Sequence, residues 1–280
     1  QLGIKTIVVD EAALGGTCLT VGCIPSKALI HAADEFHKVA AFASGASPLG
    51  ISAAAPGIDL AKTVQWKDGI VKRLTGGVGG LFKKAGVTVI SGTARFRDGK
   101  TVVVRTPDGE RRVRAENIVI ATGSAPVELD HLKFGGAVIS STGALALETV
   151  PERLAIVGAG YIGLEIGTAF AKLGAKVTVV EAEKRILPLW DEALTRPIAA
   201  RLAKLGVDVH LASRATGRND DGLAVESEGG GARTIACDKV LVTVGRRPRT
   251  RAIGLDELDL TMSGAFIEVD DKCRTSMRGV

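Results

Sequence analysis

The chain has 280 residues, 46% hydrophobic and 24% charged, with a formal net charge of +5. That length suits roughly two domains of ~150 residues, and the apolar fraction excludes a disordered chain. No apolar run approaches the ~20 residues of a membrane-spanning helix, and basic clusters with one Tyr and two Trp offer nucleic acid no stacking platform, so neither partner is expected.

Short β-branched runs alternate with longer helical patterns, which predicts an α/β protein with parallel sheets. Residues 4–9 read as a strand closing on Asp10. A helix is predicted over 25–42, where Ala28, Leu29, Ala32, Phe36 and Val39 recur at helical spacing. Residues 60–85 read as helical but interrupted by the glycines of 76–80, and 87–104 as strands around an Asp98-Gly99 hairpin turn. A buried strand is expected over 118–122, ending at Thr122-Gly123.

A second unit opens after Val150-Pro151, with a strand over 154–157, a glycine turn over 158–163 and a helix over 161–173. The next strand covers 176–180 and ends at Glu181. A helix over 196–205, an extended run over 207–211 and strands over 223–226 and 239–244 lead to Gly245. Gly229 to Gly231 read as a loop tip, and 253–280 as short strands and turns.

Gly158-Ala159-Gly160-Tyr161-Ile162-Gly163 follows a strand and opens a helix, the context a dinucleotide-binding loop requires. Its glycines permit a tight turn, close approach of backbone to a pyrophosphate, and close helix–strand packing, with the helix N-terminus facing the phosphate charge. Glu181 ends the next strand, where a carboxylate accepts hydrogen bonds from a ribose 2′-hydroxyl and repels a 2′-phosphate. NAD is therefore expected over NADP. Asp10 ends a strand in the same manner without a glycine loop before it, which suggests a second nucleotide-binding domain whose opening strand and loop lie upstream.

Gly15-Gly16-Thr17-Cys18-Leu19-Thr20-Val21-Gly22-Cys23-Ile24-Pro25-Ser26-Lys27 is the most specific stretch. Four residues separate the cysteines, enough to close a small disulfide loop at the start of a helix whose first turn tolerates Pro25. The helix N-terminus favours a thiolate at Cys23, with Lys27 one turn on, and a thiolate is what thiol–disulfide exchange demands. Cys237 and Cys273 lack partners at zinc spacing, so no metal is expected. Four cysteines in this length is not a secreted framework, and a reducing, cytoplasmic setting is expected.

The GGTCxxxGCxPSK pattern resembles the flavin disulfide reductases, and within them the branch that oxidises dihydrolipoamide for 2-oxo acid dehydrogenase complexes. Ser47 to Ile51 and Arg246 to Arg251 are most similar to its branched-chain type. The resemblance implies two Rossmann-like dinucleotide-binding domains, for FAD over 1–147 and NAD over 148–247, with 248–280 starting a central segment that returns to the FAD domain. It implies that Cys23 is the flavin-side thiol and Cys18 the one that meets lipoamide, with Lys27 and Glu165 paired near the flavin's reactive edge. Asp10, Gly16, Thr17, Ala94, Thr122, Gly123 and Ser124 would line FAD. Gly158, Gly160, Tyr161, Ile162, Gly163, Glu181, Ala215 and Gly245 would contact NAD. Partners implied are the lipoyl domain of a 2-oxo acid dehydrogenase complex and a second copy in a homodimer.

Thr20 departs from the family's usual Asn. The chain opens on Gln1 and stops before the family's interface domain, which suggests an incomplete chain at both ends. That domain carries the family's His–Glu general base, and His31, His37, His131 and His210 do not match it. Alternatives are a glutathione- or mercuric-reductase-like enzyme using NAD(P)H, and a non-catalytic nucleotide-binding fragment.

Overall fold

The computed structural model describes residues 3–45 and 47–280; Gln1, Leu2 and Ala46 lie outside the described residues. In chain order its elements are β1 (Ile7–Asp10), α1 (Gly16–Thr20), α2 (Cys23–Ala43), α3 (Leu60–Lys84), β2 (Thr88–Ser91), β3 (Thr93–Asp98), β4 (Thr101–Thr106), β5 (Gly109–Arg114), β6 (Ser124–Pro126) and β7 (Val138–Ile139). There follow α4 (Ser141–Ala144), β8 (Arg153–Val157), α5 (Tyr161–Lys172), β9 (Lys176–Val180), α6 (Glu192–Lys204), β10 (Asp208–His210), β11 (Ser213–Asn219), β12 (Gly222–Ser227), β13 (Gly231–Ile235), β14 (Lys239–Val242) and β15 (Arg246–Pro248).

The chain divides into two compact units, one of Gln1–Thr20, Lys72–Ala125 and Arg246–Val280, the other of Val21–Val71 and Pro126–Gly245. In the first, β1 pairs in parallel with β2, and β3, β4 and β5 form an antiparallel meander. The first hairpin turns at Asp98, whose carboxylate accepts from the Lys100 N–H at 2.8 Å.

The second unit is built on a five-stranded parallel sheet in the order β10-β9-β8-β14-β7. Its central strands are mostly apolar beyond their first residues, with Thr178 the polar exception, because both faces are covered. Leu154, Ile156, Val177, Val179 and Leu241 point to one face and pack with Leu29 and Ala33 of α2 and Leu164, Ile166, Ala169 and Phe170 of α5. Ala155, Val157, Val180, Val240 and Val242 point to the other, where Leu223 and Val225 of the β11–β12–β13 sheet close over them. The alternation follows from the two-residue period of a strand.

Several expectations shift. The glycines at 76, 77, 79 and 80 do not break α3, which runs unbroken from Leu60 to Lys84. Each costs about 1 kcal/mol of helix propensity, a weak local bias that does not by itself end a helix. Residues 118–122 carry no strand: Val119 is 86% exposed, and the Ile118 N–H donates to Gly279 O at 2.8 Å. A strand exists only where a neighbour accepts its hydrogen bonds, and among the described residues none forms a ladder with this run. The first strand begins at Ile7 rather than residue 4, and the 239–244 strand ends at Val242. The last helix starts at Glu192, not 196, because the Asp191 carboxylate caps it through the Ala193 N–H at 2.8 Å.

At the foot of the parallel sheet, Asp238 accepts from the Arg153 N–H at 2.7 Å and from its guanidinium at 3.2 Å, joining β14 to β8. The backbone hydrogen bond first, then the guanidinium, hold its carboxyl below the usual carboxylate range. A folded value below the unfolded one means stability present above about pH 4 and lost as pH falls. In urea unfolding, Asp238→Asn should therefore be less stable than the parent at pH 7, with the gap narrowing below about pH 4. A gap constant with pH would contradict this reading.

Candidate functional site

Cys23 is the first residue of α2 and is exposed; Gly22 stands at the cap, and the Ser26 N–H returns to Gly22 O at 3.0 Å. One turn on, the Lys27 ammonium meets both carboxylate oxygens of Glu165 on α5, at 2.9 and 2.8 Å. The buried Ser26 hydroxyl donates to the same carboxylate at 3.2 Å. A second ion pair joins Asp34 of α2 to Lys172 of α5, its lysine largely buried. Positions 27 and 34 thus face 165 and 172, the same seven-residue step on both helices and with the charges reversed.

That arrangement fixes orientation. Antiparallel helices would set Lys27 against Lys172 and Asp34 against Glu165, two repulsions in place of two attractions. Between the pairs lie Leu29 and Ala33 of α2, packed with Leu164, Ala169 and Phe170 of α5. The apolar contact supplies the adhesion and the charges supply the register, since a pair as exposed as Lys27–Glu165 (58% and 38%) is worth only ~0–1 kcal/mol.

The glycine turn feeds α5. Gly158 has φ +101°, and a Cβ there would stand 2.7 Å from Thr243 O; one at Gly163 would stand 2.5 Å from Gly158 O and from Thr243 Oγ1. Thr243 Oγ1 donates at 3.2 Å to both Val157 O and Gly158 O, so it braces the turn from β14's end. Gly160 differs. It caps α5 with ordinary extended angles and no side-chain cap, and a Cβ on it would meet nothing within 4 Å. No internal contact calls for a glycine there, whereas a pyrophosphate approaching the first-turn N–H groups would.

Glu181 follows β9; its Oε2 accepts from the Ala159 N–H at 2.6 Å and its Oε1 from the Glu183 N–H at 2.9 Å. The strand-end acid is thereby tied to the glycine turn itself. Tyr161 is exposed as the first residue of α5, and Ile162 is half-buried against the core. Ala215 lies on β11, which is anchored to the acid loop by Ser213 N–H to Glu181 O at 2.8 Å. Gly245 is exposed with φ +129°.

In the first unit, Asp10 ends β1 and its Oδ1 accepts from the Ala12 N–H at 2.9 Å. Gly16 (φ +67°), Thr17 and Cys18 lie on α1, with Cys18 exposed. Ala94 is on β3 opposite Val104, and Thr122 is exposed beside Gly123. A Cβ on Gly123 would come within 3.8 Å of Thr17 Oγ1, so the bare Cα and the hydroxyl border the same space. Ser124 is gripped by Arg246, whose Nε donates to its Oγ and Nη2 to its O, both at 2.7 Å. Gly123 O accepts from the Arg249 N–H at 3.0 Å. Cys237 is buried, and burial pushes its thiol up, away from redox use. Among the described residues no group of three or more His, Cys, Asp and Glu could hold a metal, and no helix is long and apolar enough to cross a membrane.

Sequence reasoning missed Ser26, Thr243, Arg246 and the Asp34–Lys172 pair as contributors. The seven-residue spacing of opposite charges on the two helices was the available signal.

The model of the pyridine nucleotide-disulphide oxidoreductase family matches residues 1–280. The chain is 55% identical to the dihydrolipoyl dehydrogenase of Pseudomonas aeruginosa and 44% to that of Geobacillus stearothermophilus, covering 100% of itself and 60% of each relative. Among solved structures, the HOCl-induced flavoprotein disulfide reductase RclA from Escherichia coli is similar over 99% of this chain and 59% of that one, at 28% identity and TM-score 0.81. LpdA from Mycobacterium tuberculosis shares the fold at TM-score 0.85 and 23% identity, over 98% of this chain and 60% of that one. The chain belongs to the pyridine nucleotide-disulphide oxidoreductase family. It spans about 60% of the length of the curated relatives it matches.

The two kinds of glycine separate by experiment. Gly163→Ala should lower stability to urea by roughly 1–3 kcal/mol, since backbone must shift, while Gly160→Ala should cost under about 0.5 kcal/mol. Equal losses would show that Gly160 is also a packing glycine.

Proposed function

We propose that the protein oxidises dihydrolipoamide to lipoamide through a Cys18–Cys23 disulfide, with FAD bound in the first nucleotide domain and NAD⁺ as hydride acceptor. The domain limits we propose are 1–147 for FAD, 148–247 for NAD and 248–280 for the start of the central segment. FAD, when bound, supplies the two-electron relay between thiols and nicotinamide. The dithiol loses two electrons and two protons on becoming a disulfide; NAD⁺ takes up the electrons with one proton, and the other goes to solvent.

The single observation that carries this reading is the shared carboxylate of Glu165. It stands on the helix opened by the glycine turn and receives Lys27, one turn from Cys23. The helix that begins at Cys23 and the helix opened by the glycine turn thus meet at one carboxylate, which supports reading them as parts of one redox site. Glu181 supports NAD over NADP, because a carboxylate fixed by two backbone N–H groups would face a 2′-phosphate with like charge. The exposure of Cys18 suits the thiol that exchanges with substrate. By likeness to the dihydrolipoyl dehydrogenases, the substrate would be carried on the lipoyl domain of a 2-oxo acid dehydrogenase complex, and the enzyme would act as a cytoplasmic homodimer.

Full-length protein loaded with FAD should reduce NAD⁺ with dihydrolipoamide at least ~100-fold faster than NADP⁺, with loss of nearly all turnover on Cys18→Ser or Cys23→Ser. Gly160→Ala should raise the KM for NAD⁺ about tenfold or more. Preference for NADP⁺, or turnover that survives either cysteine change, would sink the reading.

A further inference from the structure

The third hydrogen bond to Glu165 comes from a residue with no assigned part. Ser26 is only 8% exposed, and its hydroxyl reaches Glu165 Oε2 at 3.2 Å while Lys27 Nζ lies 2.8 and 2.9 Å from the two oxygens. Two consecutive residues of α2 therefore grip one carboxylate of α5 as a fork. The two donors differ in stiffness. Lys27 reaches through four methylenes and remains 58% exposed, so it does not settle the rotation of the carboxylate. Serine has one rotatable bond and sits in packed surroundings, so its hydroxyl position is set by the helix backbone.

We propose that Ser26 is a positioning residue for the redox centre, fixing the Glu165 carboxylate so that the Lys27 ammonium is held at one place one turn from Cys23. This rests on the dithiol–flavin–NAD reading above. Helix packing does not require the hydroxyl: the faces are joined by Leu29, Ala33, Leu164 and Phe170 and by the Asp34–Lys172 pair. Alanine would fill the same volume less one oxygen. The hydroxyl's reason is its acceptor, and that acceptor's other partner is the lysine beside the thiol.

The test compares Ser26→Ala and Ser26→Thr in the full-length FAD-loaded protein. For Ser26→Ala, kcat for NAD⁺ reduction by dihydrolipoamide should fall about tenfold, with both KM values within about twofold of the parent and the flavin absorption maximum displaced. Ser26→Thr, which restores a hydroxyl, should recover kcat to within about threefold of the parent. Competitive amine labelling read by peptide mass spectrometry should find Lys27 reacting several-fold faster in Ser26→Ala, with other lysines unchanged. Unaltered kcat and spectrum in Ser26→Ala, or a threonine variant no better than alanine, would overturn the proposal. Should the parent fail to oxidise dihydrolipoamide at all, the functional reading falls. Lys27 labelling then decides the positioning role alone, and equal labelling in parent and Ser26→Ala would refute it.

Discussion

The carboxylate of Glu165 is where two otherwise separate parts of the sequence are made to agree. One is the cysteine-bearing start of α2; the other is the glycine turn that opens α5. Each arrives with its own local logic, a helix N-terminus behind a cysteine and a helix N-terminus behind a bare glycine. What joins them is a parallel helix pair with its charges reversed at a seven-residue step, Lys27 to Glu165 and Lys172 to Asp34. The attraction of the exposed Lys27–Glu165 pair is small. Its value lies in the alternatives it excludes, since a slip of register or a reversal of direction brings like charges together.

The same division between adhesion and alignment recurs at the glycine turn. Buried valines and isoleucines of β8, β9 and β14 hold the sheet. The path of the turn, by contrast, is set by a few polar contacts: Thr243 Oγ1 on two carbonyls, and Glu181 on the Ala159 N–H. Gly158 and Gly163 are glycines because neighbouring backbone leaves no room, whereas Gly160 is a glycine where the chain leaves room to spare. That contrast supports reading the empty side as a ligand's.

Much of this is legible in the sequence. The strand over 176–180 and its closing acid follow from a β-branched run and the turn after it, and α2 from the recurrence of Ala28, Leu29, Ala32, Phe36 and Val39. These signals are local, and local signals survive folding when they agree with the packing. The errors came where the deciding partner is distant in sequence. Residues 118–122 have the composition of a buried strand but no ladder among the described residues, and α3 keeps its helix across four glycines that a local reading counts as breakers. Ser26 and Thr243 were hidden for the same reason. Each is unremarkable in its own segment, and each acts on an acceptor 85 or more residues away.

The central claim is that Cys18 and Cys23 form the disulfide that nicotinamide reduces or regenerates. Differential alkylation measures it directly: full-length FAD-loaded protein is treated with iodoacetamide before and after anaerobic addition of NADH, and each cysteine is read by peptide mass spectrometry. The account predicts that Cys18 and Cys23 resist alkylation before NADH and are both labelled after it, with Cys237 and Cys273 unchanged. Labelling of Cys18 and Cys23 that is the same with and without NADH would contradict it.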